Sequence, residues 1–182
     1  LGEHGGGTWT LTAADVTHLP FLDACFDLVI CSEVLEHIPD HECAAREIVR
    51  VLKPGQMLAV SVPRHLPERI CWALSDDYGS ASQGHVRIYR KAALADLLER
   101  AGTRLIGHHH AHSIHTPYWW LKCLLGPTRT DLPAVNLYHR LLVWDIMQKP
   151  LVTRLVDRLL NPLLGKSLVV YMVKNALTFD MP

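Results

Sequence analysis

Residues 26–32, Phe-Asp-Leu-Val-Ile-Cys-Ser, form an almost unbroken apolar run, and residues 57–62, Met-Leu-Ala-Val-Ser-Val, form a second. Short runs with no polar alternation suit strands buried on both faces of a parallel sheet. Parallel neighbours need a crossover, usually a helix. Between the runs, Asp40 is placed to cap a helix whose body extends over residues 43–52, with Ala44, Ile48, Val49 and Leu52 on one stripe. Lys53-Pro54-Gly55 stops it, and Pro63 closes the second strand. Strand, helix and strand with short connections make the chain an α/β protein.

The flanking segments extend that order. Residues 1–7, with four glycines, read as a loop, and residues 8–14 as a short β-branched strand. Residues 90–101 form an amphipathic helix through Leu94, Leu97, Leu98 and Ala101, with Gly102 as its C′ residue. A strand begins at residues 104–107 and leads into His108, His109, His110, His112 and His115. If the chain is extended there, His108, His110 and His112 share one face. Residues 137–147 and 151–160 read as helices, and residues 167–173 return to strand. The chain therefore divides into residues 1–110 with 167–182, and a helical insertion or lid at 111–166.

Charge and cysteines narrow the function. Lys plus Arg and Asp plus Glu each number 18, so the neutral balance argues against a nucleic-acid partner. The five cysteines are scattered and form no C-x-x-C pair, which argues against a disulfide framework or a cysteine zinc site and fits a reducing cytoplasm. No apolar run reaches the roughly 18 residues of a membrane-spanning helix. The first residue is Leu1 rather than Met, from which a piece of a longer chain is expected.

Asp15-Val16, Phe26-Asp27-Leu28-Val29-Ile30-Cys31-Ser32-Glu33-Val34-Leu35-Glu36-His37-Ile38 and Glu47-Ile48-Val49-Arg50-Val51-Leu52-Lys53-Pro54-Gly55 together resemble the type-11 group of class I S-adenosylmethionine-dependent methyltransferases. His85-Val86-Arg87-Ile88-Tyr89 and Leu97-Leu98-Glu99-Arg100-Ala101-Gly102 are similar to the last helix region of the same family. The resemblance implies a Rossmann-like sheet whose final strand, residues 168–174, is antiparallel, with the cofactor across the C-terminal ends of the strands. The family's opening strand, G-x-G-x-G loop and ribose-binding acid have no counterpart here, and Gly5-Gly6-Gly7 is no substitute because it precedes the presumed third strand. The sheet is accordingly expected to be incomplete, and the chain alone to bind the cofactor poorly.

The resemblance also implies roles for particular residues. Asp15 would accept a hydrogen bond from the adenine amine, with Val16 beside the ring, while Cys31, Ser32 and Glu33 would lie near the methionine half. His37 is the candidate general base toward an acceptor hydroxyl. Glu33-Val34-Leu35-Glu36-His37 also reads E-x-x-E-H, a string that in some relatives holds a divalent metal; here no metal site is assigned. Tyr118-Trp119-Trp120 and the apolar helices after it could cover a hydrophobic small-molecule substrate or form the core between lid and sheet. Arg140, Lys149, Arg154, Arg158 and Lys166 give residues 111–166 a basic bias that allows peripheral membrane contact; no oligomeric state follows. Methyl transfer to a small-molecule acceptor, a hydroxyl of a hydrophobic or glycosylated metabolite, is the first reading, ahead of an RNA methyltransferase and of a methyltransferase-like binding module without activity.

Overall fold

A computed structural model describes residues 8–80, 85–126, 129 and 132–176. Strand β1 (Phe26–Ser32) is followed by helix α1 (His41–Val51), strand β2 (Leu52–Pro63), helices α2 (His65–Leu74), α3 (Asp76–Ser80) and α4 (Lys91–Arg100), and strand β3 (Thr103–Ala111). Helices α5 (His115–Leu125), α6 (Pro133–Gln148) and α7 (Leu151–Leu164) are then inserted ahead of strand β4 (Ser167–Lys174). The four strands form one mixed sheet in the order β1-β2-β4-β3. β1 and β2 are parallel, and β4 is antiparallel to both neighbours, as expected for the last strand. An open, Rossmann-like mixed sheet with three helices inserted ahead of its last strand is thus the observed architecture.

The helix between the parallel strands forms for the reason its sequence gives. The Asp40 side chain accepts from the Cys43 amide, and Ala44, Ala45, Ile48 and Val49 are buried. At the other end, Lys174 Nζ donates to the carbonyls of Val49, Arg50 and Leu52, a cation on the negative pole of α1. Gly102 adopts φ +102, the left-handed value that suits a residue just past a helix.

The main core cluster lies on one side of the sheet. Cys31, Leu58, Val60, Leu168, Val170 and Met172 face α1 and α4, meeting Leu94, Leu97 and Leu98. The residues that alternate with them face the other way, and no helix covers that side among the described residues. Leu28 and Ile30 are 47% and 69% exposed in consequence. This corrects the expectation of a β1 buried on both faces: the apolar run is real, but one face is open.

Three further differences from the sequence reading have local causes. Residues 8–14 form no strand; the single bridge nearby joins Asp15 to His18 across a tight turn. β3 runs on through the histidines to Ala111, but His112 takes φ +63 and leaves the strand. His108 and His110 therefore share a face, their rings 6.2 Å apart, while His112 turns to His115. His109, on the opposite face, stacks on Tyr171 at 5.6 Å. Helices α2 and α3 went unread. The glycine-rich residues 1–7 lie outside the described residues.

The junction of α7 and β4 is tight. A Cβ on Gly165 would stand 2.6 Å from His110 Cβ and 2.7 Å from the Asn161 carbonyl oxygen. Gly165→Ala is expected to destabilise the protein by about 1–3 kcal/mol, through overpacking at the β3 contact. Urea unfolding of the two proteins checks it, with equal midpoints as the contrary result.

Candidate functional site

Because β1 and β2 are parallel, their C-terminal ends lie side by side, with Ser32 opposite Ser61. The two hydroxyls are 2.9 Å apart. Glu33 then leaves the strand with φ +53, a conformation that costs a non-glycine residue roughly 1–2 kcal/mol. Its amide donates to the Ser61 carbonyl at 2.9 Å, which holds that geometry. Cys31 points the opposite way, into the core, where burial and the nearby Glu36 charge push its thiol up to about 12. Its side chain and that of Ser32 therefore serve different faces of the sheet.

The loop after β1 is held from outside. Arg87 Nη1 donates to the carbonyls of Leu35 and Ile38, and Nη2 to that of Pro39 at 2.8 Å. The Val86 amide donates to the Glu36 carbonyl at 2.9 Å. Leu35 anchors the loop in the core. His37 is thereby presented half-exposed, its ring tilted against that of His85 at 4.9 Å.

Asp15 sits at an exposed turn before β1. Its Oδ1 accepts from both the amide and the hydroxyl of Thr17, and the amide bond first, then the hydroxyl, holds the carboxyl below its usual range. Val16 beside it packs against the core. Cys43 reaches the Thr17 carbonyl from α1, and Glu47 accepts from the Leu19 amide. Arg50 joins Glu47 to Asp23 and to the carbonyls of Leu19 and Phe21. Helix α1 thus positions the turn that carries Asp15.

Two buried glutamates flank His85 and behave oppositely. Glu68, on α2, is buried; burial works to raise its pKa. The hydrogen bond from His85 Nδ1 (2.5 Å) and the charge and hydrogen bond of Lys166 (2.6 Å) overcome that and hold it near 2. Glu36 is just as buried, but neither of its carboxylate oxygens has a hydrogen-bond partner. Burial pushes its pKa up to about 7. His37 Nε2 lies 3.8 Å from Glu36 Oε1.

One ligand atom each from Glu36, His37 and His85 lies within 4.8 Å of the others, the trio among the described residues able to hold a metal ion. A carboxylate with two imidazoles suits a divalent transition metal better than the all-oxygen sites of magnesium or calcium. Glu33 stands outside this trio, so the E-x-x-E-H string does not act as a unit. His85, Glu68, Lys166 and Arg87 were not assigned from sequence. His85 and Arg87 stood in a recognised motif, but no spacing rule links a loop at 33–39 to a segment 50 residues later.

Residues 3–60 match the family model described as a methyltransferase domain. Cycloartenol-C-24-methyltransferase 1 of Oryza sativa subsp. japonica is 38% identical over 82 residues, 45% of this chain and 21% of that protein. A demethylmenaquinone methyltransferase of Mycolicibacterium vanbaalenii is 46% identical over 48 residues, 26% of this chain and 21% of that protein. The matched stretches span about a fifth of these relatives' own length. A solved S-adenosylmethionine-dependent methyltransferase of Thermotoga maritima superposes with a TM-score of 0.54 at 16% identity, over 89% of this chain and 62% of that one, a likeness of fold.

The unpaired Glu36 makes stability depend on pH. Its folded pKa lies above the ordinary 4.5, so the folded state holds the proton more tightly. Stability is then greatest at or below pH 4.5 as far as this group is concerned, and it falls as pH rises toward 7. The shift corresponds to roughly 3 kcal/mol. Glu36→Gln is expected to be more stable than the native protein at pH 8 and to lose that advantage at pH 4.5. Thermal unfolding across this range in the presence of EDTA checks it; parallel curves would contradict it.

Proposed function

Since this chain belongs to the class I S-adenosylmethionine-dependent methyltransferase family, we propose that it acts in methyl transfer to a small hydrophobic acceptor. The observation that carries the proposal is the loop clamped by Arg87, which follows the strand ends Ser32 and Glu33 directly and carries His37 half-exposed. Those strand ends are where open α/β sheets receive ligands.

The residues on hand fit part of the cofactor. Asp15 is an exposed carboxylate whose Thr17 bonds both fall on Oδ1, and its Oδ2 would accept from an exocyclic amine. Val16 offers an apolar contact next to it, and Ser32 and Glu33 offer a hydroxyl and a carboxylate at the strand ends. Cys31 contributes backbone alone, because its thiol is turned into the core. Bound, the cofactor supplies a methyl on a sulfonium, open to in-line displacement. His37 takes the proton from an acceptor hydroxyl, and the Glu36 carboxylate behind it favours the imidazolium that forms.

The acceptor class has two supports. The rice and mycobacterial relatives are named for cycloartenol and demethylmenaquinone, both hydrophobic. The open sheet face is a concavity of about 620 Å³, bounded by Ile30, Ser32, Glu33, His109 and Tyr171. Aliphatic and aromatic walls with a few polar groups are the usual make-up of a small-molecule site. A second reading, a module that binds without transferring a methyl, draws on the lack of G-x-G-x-G in residues 1–182.

Calorimetric titration of S-adenosylhomocysteine into the full-length protein separates the two readings. Binding is expected, and Asp15→Ala should weaken it about tenfold, the worth of one charged hydrogen bond. No binding would sink the enzyme reading and leave the module. With a hydrophobic alcohol as acceptor, His37→Ala should lower kcat by about 10²–10⁴ while leaving S-adenosylhomocysteine affinity unchanged. An unchanged kcat would remove His37 as base and favour a carbon acceptor, the atom named for the rice relative.

A further inference from the structure

Helix α7 is amphipathic in the reverse of the usual sense. Its polar stripe is the one turned to the protein. Thr153 is buried, Asp157 Oδ1 accepts from the Ser113 hydroxyl at 2.6 Å and from the Ile114 amide, and Asn161 Oδ1 accepts from the Ser113 amide at 2.9 Å. The apolar stripe faces outward: Leu151 is 82% exposed, Leu159 66% and Leu163 71%, with Val152 and Leu155 exposed between them. At 100° per residue these side chains, together with the exposed Val156 and Leu160, cover about half the circumference of the helix.

Helix α6 continues the surface. Leu137, Leu141, Trp144 and Met147 are exposed, and Val135 and Leu142 are its buried residues. A cleft of about 740 Å³ opens along it, lined by Leu121, Leu137, Tyr138, Leu141 and Trp144. An exposed apolar surface this extensive is unusual on a soluble face and marks a docking region.

Charge identifies the occupant. Arg154 and Arg158 are exposed on α7 at the margin of its apolar arc, and Arg140 and Lys149 are exposed on α6 and just after it. The acidic residues of the two helices are Asp145 and Asp157; both are half-buried, and Asp157 is spent on Ser113 and Ile114. An apolar arc bordered by cations matches the boundary between acyl chains and anionic head groups. A two-fold pairing of this face with its own copy would set like charges toward like. Among the described residues no helix is long and apolar enough to cross a membrane, and α7, with 14 residues, extends about 21 Å, short of the roughly 30 Å hydrocarbon core. The geometry is that of a helix lying in the plane of the interface.

We propose that the outward face of α6 and α7 docks on an anionic lipid bilayer, with Leu151, Leu155, Leu159 and Leu163 entering the acyl boundary and Arg154 and Arg158 meeting phosphate. The docking stands apart from the methyl-transfer reading and is tested without it. The full chain is sedimented with vesicles of phosphatidylcholine alone and of phosphatidylcholine with phosphatidylserine. It should pellet with the phosphatidylserine vesicles and be released by high salt. Leu155→Glu with Leu159→Glu removes exposed side chains and should weaken pelleting at least tenfold with unchanged circular dichroism. Arg154→Gln with Arg158→Gln should weaken it about tenfold on anionic vesicles and leave the phosphatidylcholine control unchanged. The proposal is overturned if the native chain stays in the supernatant, or if neither pair of substitutions alters pelleting. It is equally overturned if light scattering shows a stable dimer that the leucine substitutions dissociate, which would assign the face to a second copy.

Discussion

The ion-paired Glu68 holds together parts of the molecule that are far apart in the chain. A carboxylate removed from water this fully must be neutralised and hydrogen-bonded, and Glu68 receives a donor on each oxygen. One donor, His85, belongs to the segment whose neighbours Val86 and Arg87 clamp the loop after β1. The other, Lys166, lies between α7 and β4 and also stands over the Trp119 ring of α5. Breaking either contact would leave one oxygen of a buried carboxylate without its donor, so the helical insertion, α2 and the loop with His37 share one constraint. Arg64 adds a second tie at the same junction, donating to the carbonyls of Pro162 and Leu163 at the end of α7.

That constraint was invisible in the sequence for a physical reason. A buried glutamate breaks the apolar periodicity from which a helix is recognised. Helix α2, whose buried residues are Pro67, Glu68 and Cys71, accordingly gave no signal. The elements that were legible owe their formation to local chemistry: the Asp40 cap, the stripe of α1, Gly102 after α4, and the apolar runs of β1 and β2. At residues 8–14 β-branched composition suggested a strand, but among the described residues no strand lies beside them to pair with. The site divided along the same line. Asp15, Ser32, Glu33 and His37 were legible as positions along one stretch of chain, whereas their supports, Arg87, His85 and Glu68, come from segments whose proximity exists only in the folded molecule.

Two apolar surfaces remain open, and they differ in kind. The uncovered sheet face is concave and carries Ser32, Ser61 and His109 among its aliphatic residues, so polar groups converge on whatever lies there. The α6–α7 face is bordered by cations at its margin instead of carrying donors and acceptors among its leucines. A ligand with defined shape suits the first, and a fluid boundary suits the second. A hydrophobic acceptor partitions into a bilayer, so an enzyme that rests on one meets that acceptor at high local concentration.

The two glutamates on either side of His85 determine how that ring can act. Glu68, held near 2, is ionised at neutral pH and can only accept, so the hydrogen between it and His85 resides on Nδ1. In the neutral ring, Nε2 then carries the lone pair on the side where Glu36 and His37 lie. Glu36, with its pKa near 7, passes between acid and carboxylate in the range where an imidazole also does. The Glu68 carboxylate, by contrast, is fixed by a donor on each oxygen. Placing one carboxylate without donors and one with two, on opposite sides of a single histidine, separates the labile proton from the structural one.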